Sequence, residues 1–509
     1  MDVLQYDLQF SCYLYKVMRR IIAVLMMCTA SIAVQAQLPM FDQTKVNRIF
    51  ITMPTDSLQA MYNTLNSVYY MCSFVYTNGI DSNRVDSVGI RFRGNTSLVS
   101  GKKSIKLAID KYAEDKEFKG VRKLNLIGNH NDPTYVREKL FYHCWEKAGF
   151  APRRISFVEV YINNINYGIC SNVEEVDKQW LQRVYNNDSG NLYKCSWGAD
   201  LKFQGNNPST YKGFMTGSSR TYDLQTNESN DTYIDLTEFI KTVNGPNDSN
   251  YLTYLDTIFD YKNYLKALAL DVYTGNWDNY AYNSNNYLLW HDSVEGKFKF
   301  ITFDTDNTFG VDWSGIDWTT RDPYKWYNQT DYRALCYRLL NTTAGTQLFS
   351  LYLDSIGTYV VNKDTLFPYL DSLQAMLAPF VPADSFKTLD YGYDSLAFAK
   401  GFVGTVDAHT PYGIKPFIEK RRLFVFPLIA ENQTAKRQTL LYPNPSRGIL
   451  HIANASEYFI YSMAGNIVAS GQCNDKHTLT IDFLVAGNYT VHLKTVDGAS
   501  EQHRLIVIK

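Results

Sequence analysis

Residues 275–310 read GNWDNYAYNSNNYLLWHDSVEGKFKFITFDTDNTFG, and this stretch decides the fold. Asp278 and Asn283 stand five positions apart in a loop that leaves a helix, and Asp304 ends the second strand of a hairpin. Phosphoryl transfer needs such a set, because a carboxylate accepts the proton of the acceptor hydroxyl while an amide oxygen and a second carboxylate hold Mg²⁺. The stretch therefore predicts a phosphotransferase centre.

Two structural interpretations compete with this one. Asp and Asn often bond their own backbone in turns, so Asp278 and Asn283 could be turn caps. Asp304 and Asp306 form a D-x-D pattern that also suits a structural Ca²⁺ loop. Neither alternative explains the strand lysine and the Gly-Asn hairpin upstream.

The order of elements before this stretch follows that of a protein kinase. Alternating strands form a hairpin around residues 93–95, Arg-Gly-Asn, and its second strand carries Lys106. A helix over 133–149 and two strands that end at Glu174 come next. A kinase presents a phosphate-covering hairpin, a strand lysine, a helix, a hinge, a catalytic loop and a metal aspartate in the same sequence. We therefore expect Arg93, Asn95, Lys106 and Glu174 to contact the nucleotide, although the G-x-G-x-x-G and H-R-D patterns are absent.

The ends of the chain predict export and a second domain. A basic start, an apolar run and small residues before Ala36 are typical of a secretory signal over residues 1–36, with Met18 as a second candidate start. A membrane anchor is the alternative, but the apolar run is shorter than the roughly 20 residues of a span. A polar linker over 431–438 precedes short alternating strands, which predict a small β-sandwich over 439–509.

Composition excludes several classes of protein. The 50 Lys and Arg residues balance 51 Asp and Glu residues, so no charge excess favours nucleic acid. The six cysteines after the signal are scattered and the histidines form no H-E-x-x-H motif, which disfavours a zinc site and favours free thiols. No further segment is long and apolar enough for a transmembrane span. The polar stretch 193–250 reads as a decorated surface region.

A family resemblance rests on motifs that occur in order along the chain. They are IRFRGNTS at 90–97, KLNL at 123–126, the helix with Arg137, YGI at 167–169 leading to Glu174 and Asp177, GNLYK at 190–194, GNWD at 275–278, and FDTD at 303–306 with FG at 309–310. Together they resemble the spore-coat protein H (CotH) kinase-like family over about residues 45–430. The chain departs from that family at Phe303, where Trp is more usual, and at residues 170–172.

The resemblance implies a fold and a set of roles. The fold is α+β, a diverged protein-kinase-like catalytic domain over 41–430 followed by the small all-β sandwich. Asp278 is implied as the catalytic carboxylate and Asp304 as a metal ligand, with Asn283 and Asp306 assisting. The cofactors implied are ATP and Mg²⁺. Residues 442–445, YPNP, and 487–489, GNY, resemble instead the type A sorting domain of type IX secretion in Bacteroidetes.

The expected function is therefore that of a secreted or surface atypical protein kinase. Its partners would be a protein substrate and, through the C-terminal domain, the secretion machinery. The main alternative is a catalytically silent pseudokinase that binds glycan or a cell-surface partner as an adhesin. A glycoside hydrolase that uses Asp278 and Asp304 as its two carboxylates is a third interpretation, but it leaves Lys106 and the hairpin unexplained.

Overall fold

The computed structural model describes residues 39–65, 68–246, 250–432, 440–473, 476–495 and 500–508. Up to Asn432 the chain is mixed α+β, and from Leu440 it is all-β. The predicted signal peptide, residues 1–36, lies outside the described residues. Within the described ranges, no helix combines the length and the hydrophobicity that crossing a membrane requires.

Seven strands of the N-terminal part close into a barrel. They are β1 (Val46–Thr52), β2 (Tyr70–Thr77), β3 (Ser82–Arg93), β4 (Ser104–Ala108), β5 (Lys123–Ile127), β6 (Ile155–Ile162) and β7 (Ile165–Val173). Their order around the barrel is β1-β2-β3-β4-β5-β7-β6, and a parallel β6–β1 pair closes it. In β3 the side chains of Val88, Ile90 and Phe92 are fully buried in the barrel core, as period-2 alternation requires. Phe92 pairs with Ile105, which confirms the predicted hairpin.

A second, antiparallel sheet follows in the chain. The strands of this part are β8 (Gly190–Cys195), β9 (Met215–Thr216), β10 (Ser219–Arg220), β11 (Tyr222–Leu224), β12 (Tyr287–Asp292) and β13 (Lys297–Thr302). The strand order in the sheet is β11-β8-β12-β13. Strands β12 and β13 form the predicted hairpin that separates Asp278 from Asp304.

Helices pack around both sheets and form most of the chain between 330 and 432. They are α1 (Thr55–Thr64), α2 (Arg137–Lys147), α3 (Lys178–Tyr185), α4 (Pro208–Lys212), α5 (Ile234–Val243), α6 (Tyr251–Ile258), α7 (Tyr261–Thr274), α8 (Tyr280–Asn283), α9 (Ala334–Leu340), α10 (Thr343–Ser355), α11 (Lys363–Leu377), α12 (Ser395–Val403) and α13 (Ile414–Asn432). Helix α2 starts later than predicted because Asp132 accepts the backbone N–H groups of Thr134 and Arg137, both at 2.8 Å, and holds 133–136 in a turn.

The expectation of a decorated surface over 193–250 was wrong. This stretch supplies β8 and β11 to the second sheet, and Tyr211, Tyr222 and Tyr233 are buried in the main apolar core. Their hydroxyl groups bond to backbone atoms, as in the 2.5 Å hydrogen bond from the Tyr233 hydroxyl to the Tyr222 carbonyl. The polar residues around these tyrosines concealed an interior segment.

The C-terminal region consists of two sheets that pack face to face. Its strands are β14 (Leu440–Tyr442), β15 (Ile449–Ala453), β16 (Ala455–Ser462), β17 (Ile467–Gln472), β18 (Lys476–Thr480), β19 (Gly487–Thr495) and β20 (Ser500–Val507). The sheet orders are β14-β15-β18 and β17-β16-β19-β20. Leu450 and Ile452 from one sheet and Ile460, Val491 and Leu505 from the other are buried in one core.

We expect a chain that ends at Asn432 to fold cooperatively by itself. Among the described residues, the C-terminal core contains none before Leu441 and the three cores of the preceding region contain none after Ile429, so the cut divides no core. Helix α13 reaches Asn432, two residues into the predicted linker 431–438, and the rest of that linker lies outside the described residues. Calorimetry of the truncated and full chains should show melting temperatures within about 5 °C of each other. A molten or insoluble product would place the boundary elsewhere.

Candidate functional site

Helix α7 delivers the loop that carries Asp278. The chain leaves the helix at Gly275, where φ is +68° and an added Cβ would lie 2.4 Å from a buried ring, so only glycine fits without rearrangement. Asp271, in the last turn, accepts hydrogen bonds from the side-chain amides of Asn276 and Asn279, both at 2.8 Å. The loop is thus held to the helix before and after Asp278.

We expect Asp271 to make the stability of the protein depend on pH. Burial raises the pKa of its carboxyl group to about 7, although Asn276 and Asn279 oppose that rise. A carboxyl group whose pKa is raised by folding contributes most below its unfolded pKa and loses that contribution as the pH approaches its folded pKa. Asp271→Asn should therefore be less stable than wild type near pH 5, and the difference in unfolding free energy should narrow toward about pH 8. Denaturant unfolding across this range measures it, and a constant or widening difference would contradict the raised pKa.

Four side-chain amides surround the carboxylate of Asp278. The Nδ2 atoms of Asn283, Asn285, Asn286 and Asn307 donate to it at 2.6, 3.2, 3.0 and 3.1 Å. Burial raises the pKa of Asp278, and the amides act in the opposite direction. The carboxylate is therefore fixed in place by neutral donors and no cation within salt-bridge distance neutralises it among the described residues.

The turn-cap interpretation does not fit Asp278. Within the part of the chain that the structure describes, no backbone N–H donates to its carboxylate, and the cap of helix α8 is Asn279, which accepts from the Tyr282 N–H at 3.0 Å. The side chain of Asn283 also faces Asp278 and caps nothing. Because its Nδ2 is used by Asp278, its carbonyl oxygen is the end left for a ligand.

Asp304 and Asp306 follow β13 in a strongly negative environment. Asp304 has a φ of +54° and an exposed side chain. Burial raises the pKa of Asp306, and the nearby charges of Asp304, Glu138 and Asp278 raise it further. A bound divalent cation would relieve this shared negative potential.

The oxygen donors suit Mg²⁺ better than Ca²⁺. Among the described residues, no group of three His, Cys, Asp and Glu side chains could hold a metal by itself. Mg²⁺ keeps several waters and binds through one or two carboxylates plus phosphate oxygens, whereas Ca²⁺ takes about six to eight oxygen ligands. Asp304 and the carbonyl oxygen of Asn283 are donors of the type that the first pattern uses, and the short D-x-D segment of residues 304–306 has too few oxygens for the second.

Lys106 forms an ion pair with a glutamate that the sequence analysis did not select. Its Nζ lies 3.1 Å from Oε1 of Glu175, and both side chains are largely buried. Burial would raise the pKa of Glu175, but Lys106 and Arg93 hold it well below its ordinary value. Burial lowers the pKa of Lys106, and Glu175 opposes that fall. The pair is thus an internal, mutually stabilised one.

Glu174, the residue that we expected at the nucleotide, points elsewhere. Its carboxylate bonds to the guanidinium groups of Arg154 and Arg183, the latter at 2.7 Å, and accepts the Arg154 backbone N–H at 2.9 Å. Successive side chains of an extended chain face opposite sides, so Glu174 and Glu175 cannot share one site. The structure therefore brings Glu175, and not Glu174, to Lys106.

Arg93 and Lys194 complete a cationic side of the site. Arg93 ends β3, and no described side chain lies within salt-bridge distance of it, although its charge acts on Lys106, Glu175 and Glu138. Lys194 of β8 lies over the Phe303 ring at 4.9 Å. Burial and Arg93 lower the pKa of Lys194, while Glu175 and Asp304 raise it. Lys194 had a signal in the sequence, since it ends the GNLYK motif.

Asn95 is exposed in the loop between β3 and β4, and its side chain makes no capping hydrogen bond there. Among the described residues, no hydrogen bond joins its side chain to Asp278, Asp304 or Asp306.

The sequence did not indicate Glu138, in the first turn of α2, as a residue of the site. It is 4% exposed, and burial, with the charge of Asp304, raises its pKa to about 7. Glu138 and Asp304 are far apart in the sequence, and their interaction depends on the tertiary structure that places the end of β13 near helix α2.

A later segment, residues 381–390, anchors the start of β4. Asp384 accepts the Ile169 N–H at 2.9 Å and the Tyr135 hydroxyl at 3.0 Å, and it pairs with the fully buried ammonium of Lys102. Asp390 accepts the Gly101 N–H at 2.6 Å. The loop that contains Asn95 is thus tied down at its C-terminal end.

We expect Lys106 to contribute both to ligand binding and to stability, and we expect a second substitution to separate the two contributions. Lys106→Met should weaken Mg·ATP binding and also lower stability by about 1–3 kcal/mol, because it leaves Glu175 buried without its cation. Adding Glu175→Gln should restore much of the stability but none of the binding. Thermal unfolding of the wild type and the two variants, with and without Mg·ATP, measures both effects. Recovery of binding in the double variant would show that Lys106 acts only through the ion pair.

The chain is similar to known proteins over both of its regions. Residues 90–425 match the family model described as CotH kinase protein, and residues 440–509 match the model described as secretion system C-terminal sorting domain. Helices α2 to α12 lie inside the first match, as do Asp278, Asp304 and Asp306. The second match covers the all-β region, which is an address for export to the cell surface or the medium.

Three curated relatives show how far the likeness extends. Inner spore coat protein H of Bacillus subtilis (strain 168) is 23% identical over 311 residues, which cover 61% of this chain and 82% of that protein. Spore coat protein homolog 1 of Rhizopus delemar is 25% identical over 49% of this chain and 40% of its own length. Invasin CotH7 of the same fungus is 22% identical over 67% of this chain and 56% of its own. The chain thus spans less than two thirds of either fungal relative.

Proposed function

The chain belongs to the CotH kinase protein family, and from that premise we propose that it is an exported atypical protein kinase that moves the γ-phosphoryl group of ATP to a protein hydroxyl. The proposal includes a diverged protein-kinase-like fold for the mixed α+β region. The order of hairpin, strand lysine, helix, catalytic loop and metal aspartate along the chain supports that assignment.

One observation carries the proposal most directly: the charge of Asp304 acts on both the cationic and the acidic side chains of the site. It raises the pKa of the Lys194 ammonium and that of the Asp278 carboxyl group. Phosphoryl transfer requires cations for the phosphate oxygens, a metal ligand and a proton acceptor next to one another. A sugar-cleaving pair of carboxylates would not need the cations.

The side chains then divide the chemistry as follows. Arg93, Lys106 and Lys194 bind phosphate oxygens, with Glu175 orienting the Lys106 ammonium. Mg²⁺, when bound, neutralises charge that develops on the transferring phosphoryl group. Asp304, with the carbonyl oxygen of Asn283 and with Asp306, would hold that ion, and Asp278 accepts the proton of the acceptor hydroxyl.

A second candidate function is binding without catalysis. It is favoured by the likeness of the chain to a protein named as an invasin, Invasin CotH7. In this case the acidic site would be a remnant and the exposed aromatic rings, such as those of Trp313 and Tyr391, would contact a cell-surface partner. The sorting domain serves either function, because both need the protein outside the cell.

The test is nucleotide binding measured beside transfer on the full chain. Thermal unfolding with and without Mg·ATP measures nucleotide binding. Transfer is measured as the label that passes from radiolabelled ATP to denatured proteins taken from the surface of the same cells. We expect stabilisation and transfer together. Stabilisation without transfer would favour the silent binding protein, and neither effect would reject the nucleotide site.

A further inference from the structure

Asn307 links the proposed catalytic carboxylate to the loop that carries the proposed metal ligand. Its Nδ2 donates to Oδ2 of Asp278 at 3.1 Å. Its Oδ1 accepts from Asn131 Nδ2 at 3.2 Å and from the indole N–H of Trp313 at 3.3 Å. The side chain is 8% exposed, so water does not readily replace these partners. Both ends of this amide are therefore engaged.

The orientation of the amide is fixed from both ends. A reversed amide would place its oxygen against the Asp278 carboxylate and its N–H groups against the two donors, Asn131 and Trp313. Each of these contacts would be repulsive. Asn307 can therefore satisfy its neighbours in one orientation only, the one that presents a donor to Asp278.

Asn307 differs from the other amides at Asp278 in where it comes from. Asn283, Asn285 and Asn286 belong to the turn that follows Asp278 and move with it. Among the described donors to this carboxylate, Asn307 alone belongs to the segment after β13, three positions beyond Asp304. Its hydrogen bond therefore sets the position of one acidic group relative to the other.

We propose that Asn307 is a positioning residue for phosphoryl transfer: it holds the Asp278 carboxylate in register with Asp304, and Trp313 orients it. The inference rests on the proposed kinase function. Trp313 acts from outside the site, since its ring is 39% exposed and stacks on His409 at 3.8 Å. Loss of the indole N–H would loosen Asn307 without touching either carboxylate.

The test combines Asn307→Ala, Trp313→Phe and the double variant, with Asn341→Ala as a control. The control removes an exposed asparagine whose side chain, among the described residues, bonds to the Tyr337 carbonyl and to no other group. We expect kcat per folded molecule to fall by about 10- to 100-fold in Asn307→Ala and about 3- to 10-fold in Trp313→Phe, with KM for ATP nearly unchanged. Asn307→Ala should also lower the melting temperature, because it removes the acceptor of the Asn131 and Trp313 N–H groups. The double variant should be no slower than Asn307→Ala, because Trp313 acts through Asn307. A KM effect in place of the kcat effect, or additive losses, would overturn the proposal.

A structural measurement decides the question even if the wild-type chain transfers no phosphate. In crystal structures of wild type and Asn307→Ala, the Oδ2 end of the Asp278 carboxylate should move by about 1 Å, since Asn286 is left as its one amide donor. An unmoved carboxylate would overturn the positioning role. Absence of transfer by the wild type would instead count against the kinase proposal, so the two failures are distinguishable.

Discussion

Asp278→Asn should bind Mg·ATP like the wild type but transfer phosphate about 10²- to 10⁴-fold more slowly, the usual range for the loss of a general base. The substitution preserves the shape of the side chain and removes the proton acceptor. It also places an N–H group among the amide donors at Asp278, so a small fall in melting temperature accompanies the loss. Initial rates of transfer, nucleotide affinity and thermal unfolding, measured together, separate these effects.

A true cap provides the control for this prediction. Asp394 accepts the backbone N–H groups of Leu396 and Ala397, both at 2.9 Å, at the start of α12. Asp394→Ala should lower stability by about 0.5–2 kcal/mol and leave transfer per folded molecule unchanged. If Asp278→Asn behaved in the same way, with stability reduced and the transfer rate intact, Asp278 would not be the proton acceptor.

Asp304→Asn should lose binding and transfer together. Removing the charge of the proposed metal ligand should weaken Mg·ATP binding by about 10- to 100-fold or more, with transfer falling at least as far. Asparagine is preferable to alanine here because Asp304 has a φ of +54°, which asparagine tolerates and alanine does not. Titration calorimetry with Mg·ATP, repeated with metal-free ATP, measures the metal-dependent part.

Asp304→Asn should also change the charge of the neighbouring carboxyl group of Asp306. The charge of Asp304 contributes to the raised pKa of Asp306, so the variant should lower that pKa and favour the ionised carboxylate of Asp306, which offsets part of the lost negative charge. If Asp304→Asn bound Mg·ATP as tightly as the wild type, the metal would lie elsewhere. Equal losses of binding, transfer and stability in the Asp278 and Asp304 variants would instead contradict the division of roles between them.

Local patterns predicted the elements that position the site. Period-2 alternation predicted the hairpin with Lys106, and the loop with Asp278 was predicted to leave a helix, which is α7. The sequence could not decide between Glu174 and Glu175. A one-residue difference in an extended segment moves a side chain to the opposite face, and only the β5–β7 pairing determines which face meets Lys106.

The remaining contacts depend on tertiary structure that no spacing encodes. Asn307 reaches Asp278 only because the β12–β13 hairpin folds back on α7, and Lys194 reaches Phe303 because β8 pairs with β12. Polar composition also misled the analysis of 193–250, since buried tyrosines there satisfy their hydroxyl groups with backbone atoms. Composition reports hydrogen-bonding capacity, and it does not report whether the partner is water or protein.

The anchoring of Gly101 and Lys102 by the 381–390 segment affects the rates at which a ligand can bind and dissociate. Nearly 300 residues separate Gly101 from Asp390, so this end of the loop is released only when a tertiary contact between distant segments breaks. A ligand that enters beneath it should meet a surface that is already shaped, with little ordering left to do. We expect slow amide hydrogen exchange at Gly101 before nucleotide is added, and dissociation rates that respond to changes at Asp384 or Asp390, far along the chain from the residues proposed to bind phosphate.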